Sequence, residues 1–158
     1  MKLSLVIPCY NEEENLPLLF KKLDKFLMRD DCELVIVDNG SIDNTFSIIE
    51  SFKVKYKQLV TVKINNNIGY GNGILRGLKV SSGDILAWTH ADLQTNPLDV
   101  IKGLKFFKEK EECIFVKGLR NGRPISDRFF SIAMSIFSSI ILRQFFWDIN
   151  AQPTMFRA

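Results

Sequence analysis

Glu33-Leu34-Val35-Ile36-Val37-Asp38-Asn39-Gly40-Ser41-Ile42-Asp43-Asn44-Thr45 is the stretch that decides the fold. Its unbroken apolar run, residues 34–37, suits a strand covered on both faces, the habit of parallel sheets rather than of half-exposed antiparallel ones. The run stops at a polar turn with Gly40, and a helical pattern starts near Asn44. Strand, polar turn, helix is the unit from which α/β domains are built.

The same unit recurs on both sides. Strand-like runs fall at residues 3–7, 33–37, 60–64, 85–89 and 114–117, and helical patterns near 15–28, 44–56, 71–80 and 98–110. This alternation predicts an α/β fold, Rossmann-like, with a mostly parallel sheet flanked by helices and joined by right-handed crossovers. Pro8 cannot donate to a ladder, so the first strand is expected to stop near it. Residues 1–158 show no linker, repeat or low-complexity tract and read as a single domain, long enough for a sizeable core.

Composition narrows the class. The chain is 46% hydrophobic and 25% charged with a formal net charge of +3, the balance of a soluble or peripheral protein, and no nucleic-acid partner is implied. Cys9, Cys32 and Cys113 are an odd number without pairing or metal spacing, so buried, reduced thiols are expected. One Lys followed by a short strand is not a secretion signal, and a cytoplasmic location is expected.

Chemistry concentrates where the strands end. The fourth run closes as Trp88-Thr89-His90-Ala91-Asp92-Leu93-Gln94. A carboxylate at the carboxyl edge of a buried strand is placed to hold a divalent cation against a diphosphate, although an acid there more often makes a turn or helix cap. The first run ends in Pro8-Cys9-Tyr10-Asn11-Glu12, the second at Asp38, and the third passes through Asn67-Ile68-Gly69-Tyr70-Gly71 into a helix. Asp38 suits a hydrogen bond from a base or ribose hydroxyl. The glycine turn lets backbone approach a ligand closely.

These four segments, in this order, resemble the nucleotide-sugar half of a family 2 glycosyltransferase with the GT-A fold, closest to the polyprenyl-phosphate and dolichol-phosphate sugar transferases. The family's P-x-Y-N-E start is matched by Pro8, Tyr10, Asn11 and Glu12, and its V-D-D-G-S-x-D-x-T turn by Asp38, Gly40, Ser41, Asp43 and Thr45. Its N-x-G-x-G-x-A-x-x-x-G helix entry and D-A-D-L-Q-x-x-P site are matched by Asn67, Gly69 and Gly77 and by Ala91, Asp92, Leu93, Gln94 and Pro97. The resemblance implies that Pro8, Tyr10, Glu12, Asp38, Asn67, Gly69, His90 and Asp92 bind the nucleotide sugar, linked to UDP or GDP. It implies that Asp92 and Gln94 hold Mg²⁺ or Mn²⁺. Two positions depart from the pattern: His90 and Asn39 each stand where the family has an acid. His90 keeps a hydrogen bond for ribose or phosphate but offers nitrogen to a metal, a donor that Mg²⁺ favours less.

The last third bears on the acceptor. Three arginines, Arg120, Arg123 and Arg128, follow the fifth strand, and the guanidinium fork matches phosphate oxygens, although an isolated run of this kind is more often a solvated loop. By resemblance, Arg120, Arg128 and Ser131 bind the lipid phosphate, and Asp148 and Gln152 belong to a D-x-x-A-Q segment near the acceptor. Phe129 to Leu142 is an uncharged stretch of fourteen residues, shorter than the ~20 that span a bilayer. It reads either as a core helix or, with Phe145, Phe146 and Trp147, as an interfacial helix over 129–147 lying in the membrane surface. Such an apolar surface favours membrane contact or a homo-oligomer. Relatives usually continue further, which suggests a chain truncated at its C-terminus.

The function these readings imply is inverting transfer of a sugar from a nucleoside-diphosphate sugar to a polyprenyl phosphate at the inner face of the membrane. Asp92, Arg120 and Arg128 would carry the reaction, the metal and arginines offsetting charge on the leaving diphosphate. Two alternatives stay open. A saccharide hydroxyl acceptor would need a base, for which Asp148 is the candidate, although Asp148 equally suits a cap or a pair with Arg143. A non-catalytic nucleotide-sugar-binding protein would bind without turnover.

Overall fold

In the computed structural model, residues 1–109, 114–118, 125–143, 148 and 151–158 are described, with backbone alone at 109, 125–131 and 142. The elements run β1 (Leu3–Cys9), α1 (Leu16–Leu27), β2 (Cys32–Asn39), α2 (Thr45–Lys53), β3 (Leu59–Ile64), α3 (Tyr70–Val80), β4 (Ile85–Trp88), α4 (Asp99–Glu109), β5 (Phe115–Lys117), α5 (Ile125–Leu142) and β6 (Thr154–Arg157). They form one six-stranded sheet in the order β3-β2-β1-β4-β6-β5. The parallel α/β expectation holds for the first four strands. The exception is β6, which residue pattern did not reveal; it inserts antiparallel between β4 and β5.

Continuous apolar strands acquire two covers. Leu5, Ile7, Leu34, Ile36, Ile85 and Ala87 point to one face, beneath Leu16, Phe20, Leu23, Ile49, Val100 and Leu104 of α1, α2 and α4. On that face Phe20 of α1 stacks on Phe52 of α2 with centroids 3.9 Å apart. Val6, Val35 and Val37 point to the other face, beneath α3. There Gly77 lets the helix sit close, since a Cβ would stand 2.3 Å from Val6 Cγ1.

The first strand continues through Pro8 to Cys9, further than expected. Lys2 and Val6 direct their carbonyls toward β4, accepting from the N–H groups of Ile85 and Thr89. By alternation Pro8 faces the same side, where β4 has already ended, so its missing N–H removes no ladder bond.

Helix α5 reverses the usual pattern. Within its described part Ser135 is buried while Ile132, Ile136, Phe137, Ile140 and Ile141 are exposed, Ile140 by 71% and Phe137 by 59%. The core-helix alternative therefore does not describe residues 132–141. Among the described residues, no helix is long and apolar enough to cross a membrane. Cys9 and Cys32 are buried free thiols, as expected, and Cys113 lies outside the described residues.

Candidate nucleotide site

With strand order 3-2-1-4, the order in which strands are added reverses between β1 and β4, and a crevice opens beyond the carboxyl ends of strands at such a switch point. A cavity of about 240 Å³ lies there, lined by Pro8, Cys9, Tyr10, Glu12, Asn39, Asn67, Tyr70, His90, Ala91 and Asp92. Four separate turns thus meet because four strands end side by side.

The turns are cross-linked. Gly40 has φ +79°, and a Cβ on it would stand 2.6 Å from the backbone nitrogen of Asn67, so the turns after β2 and β3 touch only with glycine there. Asn39 Nδ2 donates to Asn67 Oδ1 at 3.1 Å and to the Gly69 carbonyl at 3.2 Å, while the Gly69 N–H donates to Asn67 Oδ1 at 2.9 Å. Asn11 Oδ1 accepts from the Ile42 N–H, and the Glu12 N–H donates to Thr45 Oγ1 at 2.8 Å. Asp43 caps the start of α2, its carboxylate accepting from the N–H groups of Thr45 and Glu13.

The expected site residues fall into groups. Pro8, Tyr10, Glu12, Asn67, His90 and Asp92 line the cavity, with Tyr10 exposed. Gly69 sits beside it at φ +96°, opening α3. Asp38 does not line the cavity; it is fully buried, and its Oδ1 accepts the Ser41 N–H at 3.0 Å. Its neighbour Asn39 takes the wall position instead. Gln94 is exposed and does not line the cavity, and its backbone N–H donates to Asp92 Oδ1 at 3.0 Å.

Asp148 and Gln152 do not line the cavity either. Asp148 has φ +43°, and its carbonyl accepts from Lys117 Nζ at 2.8 Å. Gln152, with its amide turned so that both ends are satisfied, donates to the Trp88 carbonyl at 2.9 Å and accepts from Trp88 Nε1 at 3.2 Å. Arg120 lies outside the described residues, and Arg128 and Ser131 are described by backbone alone.

Sequence reading passed over Tyr70 and took Cys9 only as a buried thiol, not as a cavity residue. The Tyr70 ring stacks on His90, centroids 4.5 Å apart and 10° from parallel. An aromatic at the first helical position after a glycine turn was the available signal. Burial pushes the Tyr70 hydroxyl well above its ordinary value, helped by the charge of Asp92 and by Cys9. Burial also raises the Cys9 thiol, followed by the charges of Glu12 and Asp38, so Cys9 is not a thiolate nucleophile.

Electrostatically the cavity is acidic. Glu12 and Asp92 line it, and no Lys or Arg does among the described residues. A diphosphate would meet like charge unless a cation came with it. The described residues contain no group of three His, Cys, Asp or Glu placed to hold a metal. One carboxylate is nonetheless enough when substrate phosphates supply further oxygens, the usual arrangement for Mg²⁺. The donor set fits a metal that arrives with the diphosphate.

Comparison with known proteins agrees with this geometry. The model of the family described as Glycosyl transferase family 2 matches residues 4–156. The chain is 34% identical to dolichol-phosphate mannosyltransferase of Pyrococcus furiosus over 126 residues, which is 80% of this chain and 32% of that protein. It is 30% identical to undecaprenyl-phosphate 4-deoxy-4-formamido-L-arabinose transferase of Photorhabdus laumondii over 145 residues, 90% of this chain and 44% of that one. It therefore spans less than half the length of either relative. The crystal structure of glucosyl-3-phosphoglycerate synthase from Mycobacterium tuberculosis, in complex with Mn²⁺, UDP-glucose and phosphoglyceric acid, superposes with a TM-score of 0.74. That match has 18% identity, covers 99% of this chain and 56% of the other, and speaks for the fold alone.

Proposed function

The chain belongs to glycosyl transferase family 2, and on that premise we propose that it moves a sugar from a nucleoside-diphosphate sugar to a polyprenyl phosphate. The acidic switch-point cavity carries the reading: Glu12 and Asp92 stand beside Asn39, Asn67 and Tyr70. The base and ribose lie against Pro8, Tyr10, Asn39 and the turn at 67–69, with His90 toward the ribose or phosphate. Asp92, whose Oδ1 accepts the Gln94 N–H, and Gln94 are the residues that would hold the cation. Mg²⁺ or Mn²⁺, when bound, neutralises charge developing on the departing diphosphate.

The acceptor reading draws on two observations. The relatives' names join sugar transfer to dolichol phosphate and undecaprenyl phosphate. Helix α5 presents Ile132, Ile136, Phe137, Ile140 and Ile141 outward, which supports a helix lying in a membrane surface. Arg120, Arg128 and Ser131 are the proposed holders of the lipid phosphate. That phosphate is anionic at neutral pH and attacks without a general base, inverting the anomeric centre. A saccharide hydroxyl would require a base at the cavity, and Asp148 does not line it.

Calorimetric titration with UDP and with GDP, each with and without Mn²⁺, tests the site. Metal-dependent binding of one nucleotide, lost in Asp92→Ala, is expected. Tight binding indifferent to metal would favour the non-catalytic alternative, and no binding of either nucleotide would end the nucleotide-sugar reading.

A further inference from the structure

A second cavity, of about 330 Å³, opens between α4 and the end of β5 and shares no residue with the first; Asp99, Lys102, Lys105 and Phe106 of α4 line it, with Lys117 and Gly118 at the end of β5. Two glycines draw its walls together. A Cβ on Gly103 would stand 2.4 Å from Met155 Sδ, and one on Gly118 2.1 Å from the Gln152 carbonyl oxygen. Where the nucleotide cavity is acidic this groove is basic, with three lysines against one carboxylate. Lys102 Nζ takes that carboxylate, at 2.8 Å from Asp99 Oδ1. Lys105 has no carboxylate partner among the described residues, and its Nζ stands 5.0 Å from the centroid of the Phe106 ring. Burial holds the Lys117 amine below its ordinary value, although the charge of Asp148 opposes this. An anion in the groove would favour that ammonium.

Lysines on a helix are ordinarily a solvated face, but such a face turns its aromatics inward. Here Phe107 is buried while Phe106 is 43% exposed among the lysines. Ammonium groups beside an outward aromatic ring suit a bilayer surface, where the charges meet phosphates and the ring sits among headgroups. We infer that the α4–β5 groove takes the phosphate headgroup of an anionic phospholipid, a second contact with the bilayer besides α5. This rests on the membrane reading of α5 and is separate from the acceptor's phosphate, which is proposed to lie with Arg120, Arg128 and Ser131. Helix α5 starts at Ile125, seven residues beyond Gly118. Its first residue therefore lies within about 25 Å of the groove. Stable peripheral anchoring takes two signals, and an apolar element with a basic patch supplies both.

The test is co-sedimentation of the intact chain with phosphatidylcholine vesicles and with vesicles that also contain phosphatidylglycerol. Tighter binding to the second kind is expected. Lys102→Gln with Lys105→Gln is expected to weaken that binding by about fivefold per lysine, roughly thirtyfold together, and to leave binding to phosphatidylcholine alone unchanged. Arg76→Gln with Lys79→Gln removes the same charge from the exposed side of α3, on the other face of the sheet, and is expected to change little. Circular-dichroism melting checks that both variants fold. Equal binding of the wild type to the two kinds of vesicle would overturn the inference and leave the α5 reading standing. So would an equal loss in the two variants, which would mean a general effect of charge. Calorimetric binding of free glycerol 3-phosphate as tight as that of the vesicles would make the groove a site for soluble phosphates and overturn the lipid assignment. Failure to bind either vesicle would remove the membrane reading of α5 and the inference with it.

Discussion

His90 and Tyr70 stack face to face at 4.5 Å, joining the loop after β4 to the first turn of α3 beside Asp92. The imidazole thus occupies the position of an acid in similar enzymes while standing two residues from the carboxylate proposed to face the metal. Nitrogen donors favour Mn²⁺ over Mg²⁺ more than oxygen donors do. Nucleotide binding is expected to be stronger with Mn²⁺ than with Mg²⁺, and His90→Asp is expected to reduce that preference. Calorimetry with the two metals in parallel reads the ratio; an unchanged preference in the variant would place His90 away from the cation.

Gln152 holds Trp88 by both ends of its amide, so its effect should be on stability. Gln152→Leu would leave the Trp88 indole N–H without its acceptor, at a cost of about 1–3 kcal/mol. For a chain of this size that corresponds to a fall in Tm of roughly 2–12 °C. Thermal denaturation checks it. A variant with wild-type Tm but weakened acceptor binding would restore the acceptor-contact role expected from the motif.

Glu33 joins β1, β2 and the turn before β4, its carboxylate accepting from Ser4 Oγ, Ser82 Oγ, the Ser82 N–H and Lys2 Nζ. Burial alone would raise its pKa, but these bonds outweigh burial and hold the carboxyl below its ordinary value. The folded state therefore binds this proton less readily than the unfolded chain. The resulting stability is full above the ordinary value of about 4.3 and is lost as pH falls through the lower folded value. Glu33→Gln is expected to cost about 1–3 kcal/mol at pH 7. Urea denaturation at pH 7 and pH 3 should show the gap between wild type and variant narrowing in acid.

Ile140 and Phe137 are exposed on α5, so changing them should leave the fold alone. Ile140→Ser with Phe137→Ser is expected to shift stability by no more than about 0.5 kcal/mol each way per site. It should sharply reduce co-sedimentation with vesicles containing anionic lipid. Unchanged vesicle binding with loss of self-association in sedimentation velocity would assign this face to a second copy of the chain.

Much of the fold was legible because its signals are local. The runs at 3–7 and 34–37 announce buried parallel strands through unbroken apolarity, and Gly40 and Gly69 mark turns through backbone permissiveness. The strand at Thr154–Arg157 was missed because four residues beside a proline carry no period, and only pairing with β4 and β5 makes them a strand. In the site, motif spacing brought Pro8, Tyr10, Glu12, Asn67, His90 and Asp92 to one cavity. It did not separate Asp38 from Asn39. Adjacent residues of a strand face opposite ways, and which of the two meets the cavity depends on where α3 lies.

By itself the sequence determined a chain of alternating strands and helices with polar residues gathered at the strand ends, since periodicity and turn chemistry act over a few neighbouring residues. Tertiary structure alone decided that Asn39 takes the wall, that Tyr70 finds His90, that Gln152 closes on Trp88 and that α5 turns its serine inward. Each of those outcomes depends on contacts between segments distant in the chain or on which face another element covers, and no local pattern encodes either.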